Sequence, residues 1–292
     1  MYGLLNLYKW EYNDYMKIKY VVDQDNIKLK DYLKLQGVSR NLLKRIRLED
    51  ITYVNGNLVK NYILVNCGDI IEIEYNEKLN EDFKTNDIPL DILYEDDYLL
   101  IVNKQANIAI QPSKRHQEDN LISSVKRYYL ENNIDSNIHI VTRLDFSSSG
   151  IVLIAKNGYI HNLLNDAKFE KIYLCKVYGK FDNLEGEYTD SIRRCDPINI
   201  KRWVFEDGKK AHTLYKVLEN GDISLVEAKL LTGRTHQIRV HFAYHNHPLL
   251  GDKIYGNGEG NLFLHCYRLE FMHPISDKMI KIECLPKWIN RK

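Results

Sequence analysis

The sequence of 292 residues predicts an α+β fold in which a larger domain with a mixed, largely antiparallel sheet follows a small helix-and-strand module. Two observations predict this class. After residue 89, apolar stretches of strand length are joined by short polar turns such as Glu95-Asp96-Asp97 and Asn220-Gly221-Asp222. Helical patterns are few and interspersed, so the spacing does not fit a regular series of βαβ units. The apolar fraction of 44% is ample for a buried core.

The small module is predicted over residues 27–75. Leucines near helical spacing indicate a first helix that ends at Gly37, and Ser39 is a suitable N-cap for a second helix. Asn55-Gly56 is a strong two-residue hairpin signal, and the alternating segment IIEIEY that follows is typical of a strand. Two short helices and a few strands therefore form a compact unit.

Charge is distributed unevenly along the chain. Seven basic residues and one acid lie between Lys28 and Arg47, whereas ten acids and two lysines lie between Glu72 and Asp97. The basic segment either meets a polyanion or is the ordinary charged face of a helix. Residues 76–89 are polar and acidic without an apolar period, which predicts a linker that ends at Pro89.

The larger domain has recognisable elements. Strands are predicted in residues 90–113 (two strands joined by the Glu95-Asp96-Asp97 turn), 171–181 and 224–231, and helices in residues 120–133 and 159–169. Thr235 is the predicted cap of a further helix that buries Ile238 and Phe242.

Composition excludes several classes of protein. The five cysteines are scattered without a C-x-x-C pair, which argues against a disulfide framework and a cysteine zinc site. No apolar run approaches the ~20 residues that span a bilayer, and the N-terminus lacks the pattern of a signal peptide. We therefore expect a cytoplasmic protein with no membrane partner.

Common cofactor and hydrolase motifs are absent, since the sequence has no G-x-x-x-x-G-K-[ST], G-x-G-x-x-G or G-x-S-x-G. A histidine cluster is the alternative chemistry: His236, His241, His245 and His247 lie in one short segment. Histidines four apart on a helix can share a metal ion, but no carboxylate follows until Asp252. A metal-dependent hydrolase remains an alternative that lacks acidic ligands.

Asp145 is the main candidate for chemistry. It lies in RLDFSSSG, between Arg143 and a run of serines, and as a residue on its own it could form a turn, bind a metal or act as a nucleophile. Arg234 and Arg239, in TGRTHQIR, lie where a strand gives way to a helix. A guanidinium there could pair with a carboxylate from elsewhere in the fold, or could only tie loops together.

Four ordered segments resemble the motifs of the RluA-type pseudouridine synthases. They are RLDFSSSGIVLIAKN, KIYLCKVYG, TGRTHQIRVH with HPLLGDKIYG, and LFLHCYRLEFMHP. The resemblance covers roughly residues 88–285 and includes LYEDDYLLIVNK near its start. The chain departs from the family at Thr142, where a histidine is usual, and at residues 103–107, which lack the usual proline and glycine.

The resemblance implies a catalytic role for three residues. Asp145 would attack or deprotonate the ribose, or add to the uracil ring, after the base has left the RNA stack. Arg234 would be the cation that favours the charged carboxylate, and Tyr173 would stack on the extruded uracil. The serines beside Asp145 would shape the turn. No cofactor or metal is implied.

Other residues are expected to contact RNA. The resemblance implies this for Arg143 and Arg239, and gives Ile238 either a pocket wall or a plain core position. Residues 27–75 also resemble the α-L RNA-binding module first described in a ribosomal small-subunit protein, through Ser39-Arg40, VNG and GD-x-I. In that module the second helix lies against RNA, which implies phosphate contacts from its basic residues, Arg40, Lys44 and Arg45.

The expected organisation is an extension of unassigned role (1–18), the RNA-binding module (19–76), a linker (77–88) and the catalytic domain (89–292). We expect a monomeric pseudouridine synthase that acts on structured RNA, most of all 23S ribosomal RNA, with transfer RNA as another target. A ribosome-assembly factor that has lost activity is the alternative, which intact Asp145, Tyr173 and Arg234 oppose.

Overall fold

The computed structural model describes residues 16–75, 77, 79–82, 84–196 and 200–289. Its helices are α1 (Leu29–Leu35), α2 (Arg40–Leu48), α3 (Leu121–Glu131), α4 (Gly158–Leu164) and α5 (Gln237–Tyr244). Across the described ranges, no helix has the length and apolar content needed to cross a membrane. Most of the predicted extension, residues 1–15, lies outside this description, and the strands begin at Met16.

The strands fall into two main sheets and two small pairs. In chain order they are β1 (Met16–Val21), β2 (Ile27–Lys28), β3 (Thr52–Val54), β4 (Asn57–Leu58), β5 (Leu64–Val65), β6 (Ile70–Tyr75), β7 (Ile92–Glu95), β8 (Leu99–Lys104), β9 (His139–Ile140), β10 (Ser149–Ala155), β11 (Glu170–Tyr178), β12 (Glu185–Tyr188), β13 (Ile192–Arg194), β14 (Arg202–Val204), β15 (Thr213–Glu219), β16 (Ile223–Leu230), β17 (Leu264–Met272) and β18 (Met279–Glu283).

The N-terminal sheet has the strand order β1-β6-β3-β4, and α1 and α2 pack against it. The predicted hairpin is present: Asn55 and Gly56 both have positive φ, at 51° and 79°, as a type I′ turn requires. The predicted N-cap is also confirmed, because Ser39 Oγ accepts a hydrogen bond from Leu42 N at 3.2 Å.

The larger sheet has ten strands. Its main path is β12-β15-β16-β11-β17-β10-β8-β7, with β18 paired to β17 and β9 to β10. All of its described pairings are antiparallel except β10 with β17. The predicted α+β class with a largely antiparallel sheet is confirmed.

Both faces of the sheet centre are covered, so its strands are apolar on both sides. Leu100 and Val102 of β8 pack with α3, whereas Leu99 and Ile101 belong to the core on the opposite face. That second core continues into the N-terminal sheet, where Tyr20 Oη lies 3.0 Å from Oη of Tyr159 on α4. The N-terminal unit is therefore packed against the large sheet rather than tethered to it by the linker alone.

Two sequence predictions need correction. The helix predicted over 159–169 ends at Leu164, within a shorter α4. The helix predicted to start at Thr235 begins at Gln237, after His236, which adopts a left-handed φ of 59°. The turn is held by the Gln237 side chain, whose Oε1 accepts from Arg234 N at 2.9 Å.

Candidate active site

A cavity of about 600 Å³ opens where the turn before β10, β11 and the start of α5 meet. Its wall comes from four separate parts of the chain, in residues 141–148, 169–173, 230–239 and Leu264. It brings together six residues that the sequence singled out: Arg143, Asp145, Tyr173, Arg234, Ile238 and Arg239.

Asp145 is held on a tight turn at the cavity wall. Ser148 N donates to Asp145 O at 3.2 Å, and β10 begins directly afterwards. Gly150 has a φ of 117°, and a Cβ atom there would lie 2.3 Å from Cys266 O on β17. Only glycine permits this close approach of the two parallel strands, which fixes where the Asp145 turn leaves the sheet.

A buried lysine supports the same turn from behind. Lys104 Nζ donates to the carbonyl oxygens of Gln105 (2.8 Å), Ile108 (3.0 Å) and Phe146 (3.3 Å). Asn107, at a left-handed φ of 62° where the family has glycine, also donates its N–H to Phe146 O at 2.9 Å. Burial lowers the pKa of Lys104 to about 7, and the charge of nearby Asp145 partly opposes that shift.

Arg239 supplies the guanidinium that faces Asp145. Its Nη1 lies 3.3 Å from Asp145 Oδ2, while Nε and Nη2 donate to Asp252 Oδ2 and Oδ1 at 2.7 and 2.8 Å. The side chains of Arg239 and Asp252 are 3% and 0% exposed. Burial raises the pKa of Asp252, but the hydrogen bonds and charge of Arg239 outweigh it and bring that pKa below its usual value. The buried pair therefore holds one guanidinium face toward the cavity.

His236 is the second group near the carboxylate. Its Nε2 lies 3.8 Å from Asp145 Oδ2, and its Nδ1 lies 2.8 Å from Tyr255 Oη. Tyr255 Oη already accepts from Arg202 N at 2.8 Å, so its own proton can go to His236 Nδ1. Burial lowers the pKa of His236, against the opposing effect of Asp145, which favours the neutral ring.

Tyr173 forms the apolar side of the cavity. It lies on β11, is 6% exposed and pairs in register with Cys266 of β17 beside a bulge. Burial, followed by the neighbouring Cys266 and Asp145, raises the pKa of Tyr173 well above its usual value. The side chain is therefore a neutral phenol beside the carboxylate.

Comparison with known proteins identifies the family. The model of the RNA pseudouridylate synthase family matches residues 98–244. A Bacillus subtilis protein named uncharacterized RNA pseudouridine synthase YjbO is 34% identical over 87% of this chain and 93% of its own length. The chain belongs to the RNA pseudouridylate synthase family. The predicted family is confirmed, and with it the enzyme class, a pseudouridine synthase.

Further relatives of this pseudouridine synthase support the same family assignment. Ribosomal large subunit pseudouridine synthase D of Borreliella burgdorferi is 33% identical over 87% of this chain and 85% of its own length. The solved structure of human RNA pseudouridylate synthase domain containing 1 has a TM-score of 0.57 and 24% identity, and it covers 68% of this chain and 84% of its own. That likeness supports the fold.

The synthase differs from the sequence-based prediction in which arginine faces the carboxylate. Arg234 lines the cavity, but its Nε donates to Lys210 O at 3.0 Å, and the described ion pairs join Asp145 to Arg239 and His236 instead. Arg234 lies before the left-handed His236, whereas Arg239 lies on α5 after it. Arg239, predicted as an RNA contact, is buried behind the carboxylate.

The remaining predicted residues are placed as follows. Arg143 is exposed at the cavity wall, and Ile238 is 3% exposed while lining the same cavity. On α2, Arg40 and Lys44 are exposed, whereas Arg45 forms an ion pair with Glu49.

Two features left open by the sequence have structural explanations. Thr142, where the family usually has histidine, is buried, and its Oγ1 accepts from Leu153 N at 2.9 Å. It therefore holds the start of the loop to β10. Ser149 Oγ lies 2.8 Å from His265 Nδ1, which fits the predicted scaffolding role of the serines.

The histidines proposed as metal ligands make protein contacts. His241 lies within 3.0 Å of Thr213 Oγ1 and Asp190 O, and His245 Nε2 lies 2.8 Å from Asp190 Oδ2. His247 stacks on Phe181, with ring centroids 3.8 Å apart. Among the described residues, no group of three or more metal-ligating side chains is assembled.

Sequence reasoning missed Lys104, His236 and Asp252 as parts of the site. Each lies within a segment that resembles the family, and Asp252 was noted only as a carboxylate after the histidines. Lys104 and His236 contact the Asp145 turn from 40 residues or more away along the chain, as in Lys104 to Phe146, and Asp252 acts through Arg239. The local spacing of residue types along the chain does not predict contacts between residues so far apart.

Proposed function

We propose that this chain isomerises specific uridines to pseudouridine in structured RNA, and that its main target is large-subunit ribosomal RNA. The relative from Borreliella burgdorferi carries ribosomal large subunit in its name, and a second relative so named, from Blochmanniella floridana, is 35% identical over 73% of this chain. The observation that carries the proposal is one carboxylate, Asp145, held against a buried guanidinium in a cavity of about 600 Å³.

The reaction makes limited demands on the protein. The bond between the ribose C1′ and uracil N1 breaks, the base rotates, and a bond forms from C1′ to C5. The C5 proton is then lost, and N1 gains a proton. Atoms and electrons balance within the substrate, so the residues must hold the base, supply one carboxylate and move one proton.

Asp145 is the proposed catalytic residue. The Arg239 guanidinium lies 3.3 Å from its Oδ2, and His236 Nε2 lies 3.8 Å from the same oxygen. A carboxylate placed in this way can act at C1′ or on the uracil ring, as nucleophile or base. The hydrogen bond from Lys104 Nζ to Phe146 O supports the turn that positions this carboxylate.

The target base must leave the RNA stack to reach this cavity, at a cost of a few kcal/mol. Tyr173 offers the extruded uracil a buried aromatic surface, and Ile238 an apolar wall. Exposed Arg143 is placed at the cavity rim to contact the RNA backbone. On the N-terminal unit, the α2 cations Arg40 and Lys44 would bind phosphates and orient the RNA without reading its sequence.

The direct test of the substrate is a map of pseudouridines in total RNA from cells with and without this gene. The proposal expects one or more sites in large-subunit ribosomal RNA to revert to uridine when the gene is deleted. Loss of sites only in transfer RNA would show that transfer RNA, and not ribosomal RNA, is the target. An unchanged map would contradict the proposed activity.

A further inference from the structure

A second aromatic feature lies beside the cavity but outside its wall. Phe146 directly follows Asp145 and is 43% exposed, whereas the other described phenylalanines are buried or intermediate. Its ring lies against His116, with centroids 4.7 Å apart and a 31° tilt between the planes. An apolar ring left open beside a catalytic carboxylate offers a surface for a flat partner.

A tight turn places two cations next to this ring. Ser113 and His116 exchange backbone hydrogen bonds, each 3.1 Å long, so that Lys114 and Arg115 form the tip of the turn. Both cations are exposed, and neither has an ion-pair partner among the described residues. His116 thus carries the basic tip on one side and the Phe146 ring on the other.

The contact between the Phe146 and His116 rings is supported by hydrogen bonds on both sides. The carbonyl of Phe146 accepts hydrogen bonds from Lys104 Nζ and Asn107 N, and His116 Nδ1 lies 2.8 Å from Asp119 Oδ2. The backbone on both sides of the Phe146–His116 contact is therefore fixed relative to Asp145. A ligand stacked on Phe146 would be held next to whatever occupies the cavity.

We propose that Phe146 is a stacking platform for the base that flanks the target uridine, and that Lys114 and Arg115 bind the phosphates of that flanking strand. Aromatic rings with nearby cations bind single-stranded nucleic acid in this way, because every base has a flat face and every linkage a negative charge. The inference rests on the proposed function for the identity of the ligand as RNA. It adds a contact that holds the strand open after the uridine has been extruded.

The test measures binding, so that it is independent of catalysis. The probe is a nonamer of uridylates with one 2-aminopurine ribonucleotide next to the central uridine, because the fluorescence of 2-aminopurine is quenched on stacking. Wild-type protein should bind it and quench the signal. Phe146→Leu should abolish the quenching and weaken binding about 5- to 100-fold, the range of one base–aromatic stack. Phe146→Trp should restore both.

The cations have a matched control. Lys114→Ala and Arg115→Ala should each lower the slope of log affinity against log salt by about 0.7, the value for one phosphate contact on a single strand. Lys278→Ala also removes one exposed charge, but from the turn at the end of β17 opposite the cavity-lining Leu264, and should leave the slope unchanged.

Failure of this proposal differs from failure of the proposed function. Absent binding of the nonamer, or equal quenching by wild type and Phe146→Leu, would overturn the platform even if pseudouridine forms normally. Quenching that depends on Phe146 in a protein without synthase activity would instead support the platform and refute the proposed function. Thermal melting of each variant checks that the fold is intact.

Discussion

Nη1 of Arg239 lies 3.3 Å from Oδ2 of Asp145. The same guanidinium is fixed from behind by both oxygens of buried Asp252, so its orientation does not depend on bound RNA. A charge held in place before substrate arrives costs no reorganisation during the reaction. The site is therefore built around a carboxylate whose counter-ion is part of the core.

The two arginines of the TGRTHQIR segment should behave differently. Arg239→Lys keeps the charge but loses the two-pronged contact with Asp252, so the ion pair with Asp145 shifts and kcat should fall about 100-fold. Arg234→Lys is the matched control, and it should leave kcat nearly unchanged because Arg234 Nε donates to a backbone carbonyl. Single-turnover kinetics measures both, and equal losses of kcat would contradict the structural assignment.

Gly150 should tolerate no side chain. Gly150→Ala places a Cβ atom against Cys266 O at a positive φ, and should lower the free energy of unfolding by about 2 to 4 kcal/mol. Gly56→Ala separates the cost of the steric contact from the cost of the positive φ. Gly56 also has a positive φ, but the space around its Cβ position is open. Its cost should be about 1 kcal/mol. Denaturant titration measures both, and similar costs would show that the approach to β17 is not tight.

Asp96 should make the stability of the folded protein depend on pH in the acidic range. Burial raises the pKa of Asp96, but hydrogen bonds from His273, Tyr94 and the N–H groups of Tyr98 and Leu99 bring it to about 2. Because the folded pKa is lowered, this stabilisation is full above the unfolded pKa near 4 and is lost as the pH falls toward 2.

Asp96→Asn tests this directly. The difference in Tm between wild type and variant should be largest above pH 5 and should shrink toward zero near pH 2. A difference that stays constant across that range would assign the effect of Asp96 to packing rather than to its charge.

The basic face of α2 should contribute to RNA affinity without affecting chemistry. Arg40→Ala and Lys44→Ala should each reduce the salt dependence of binding to large-subunit ribosomal RNA, with kcat unchanged. Lys17→Ala is the control, because its charge on β1 is paired with Glu74. An unchanged salt slope in both α2 variants would remove the RNA-binding role proposed for this helix.

Patterns of neighbouring residues in the sequence predicted much of the secondary structure. The features that they did not predict depend on contacts between residues far apart in the chain. The α1 and α2 boundaries, the Asn55-Gly56 hairpin and the largely antiparallel sheet depend on local spacing and turn chemistry. Asp145 and Tyr173, which both line the cavity, were proposed as site residues because each lies in an unbroken family-like segment.

The sequence offered both Arg234 and Arg239 as possible partners of a carboxylate, but it did not show that Arg239 is the one that faces Asp145. Arg234 and Arg239 lie five residues apart in one motif, with the left-handed His236 between them. The turn is held by the hydrogen bond from Arg234 N to Gln237 Oε1 and by the contact of His236 Nδ1 with Tyr255 Oη, from a loop after α5. The pattern of residue types in the sequence predicts neither of these contacts.

Asp145→Asn gives the most direct test of the central claim. The assay uses large-subunit ribosomal RNA made with tritium at uracil C5, since forming the new bond to C5 releases that atom to water. Wild-type protein should release tritium, whereas Asp145→Asn should release none while binding the RNA with unchanged affinity and melting at a similar temperature. Release by the variant at the wild-type rate would contradict the assignment of Asp145 as the catalytic carboxylate.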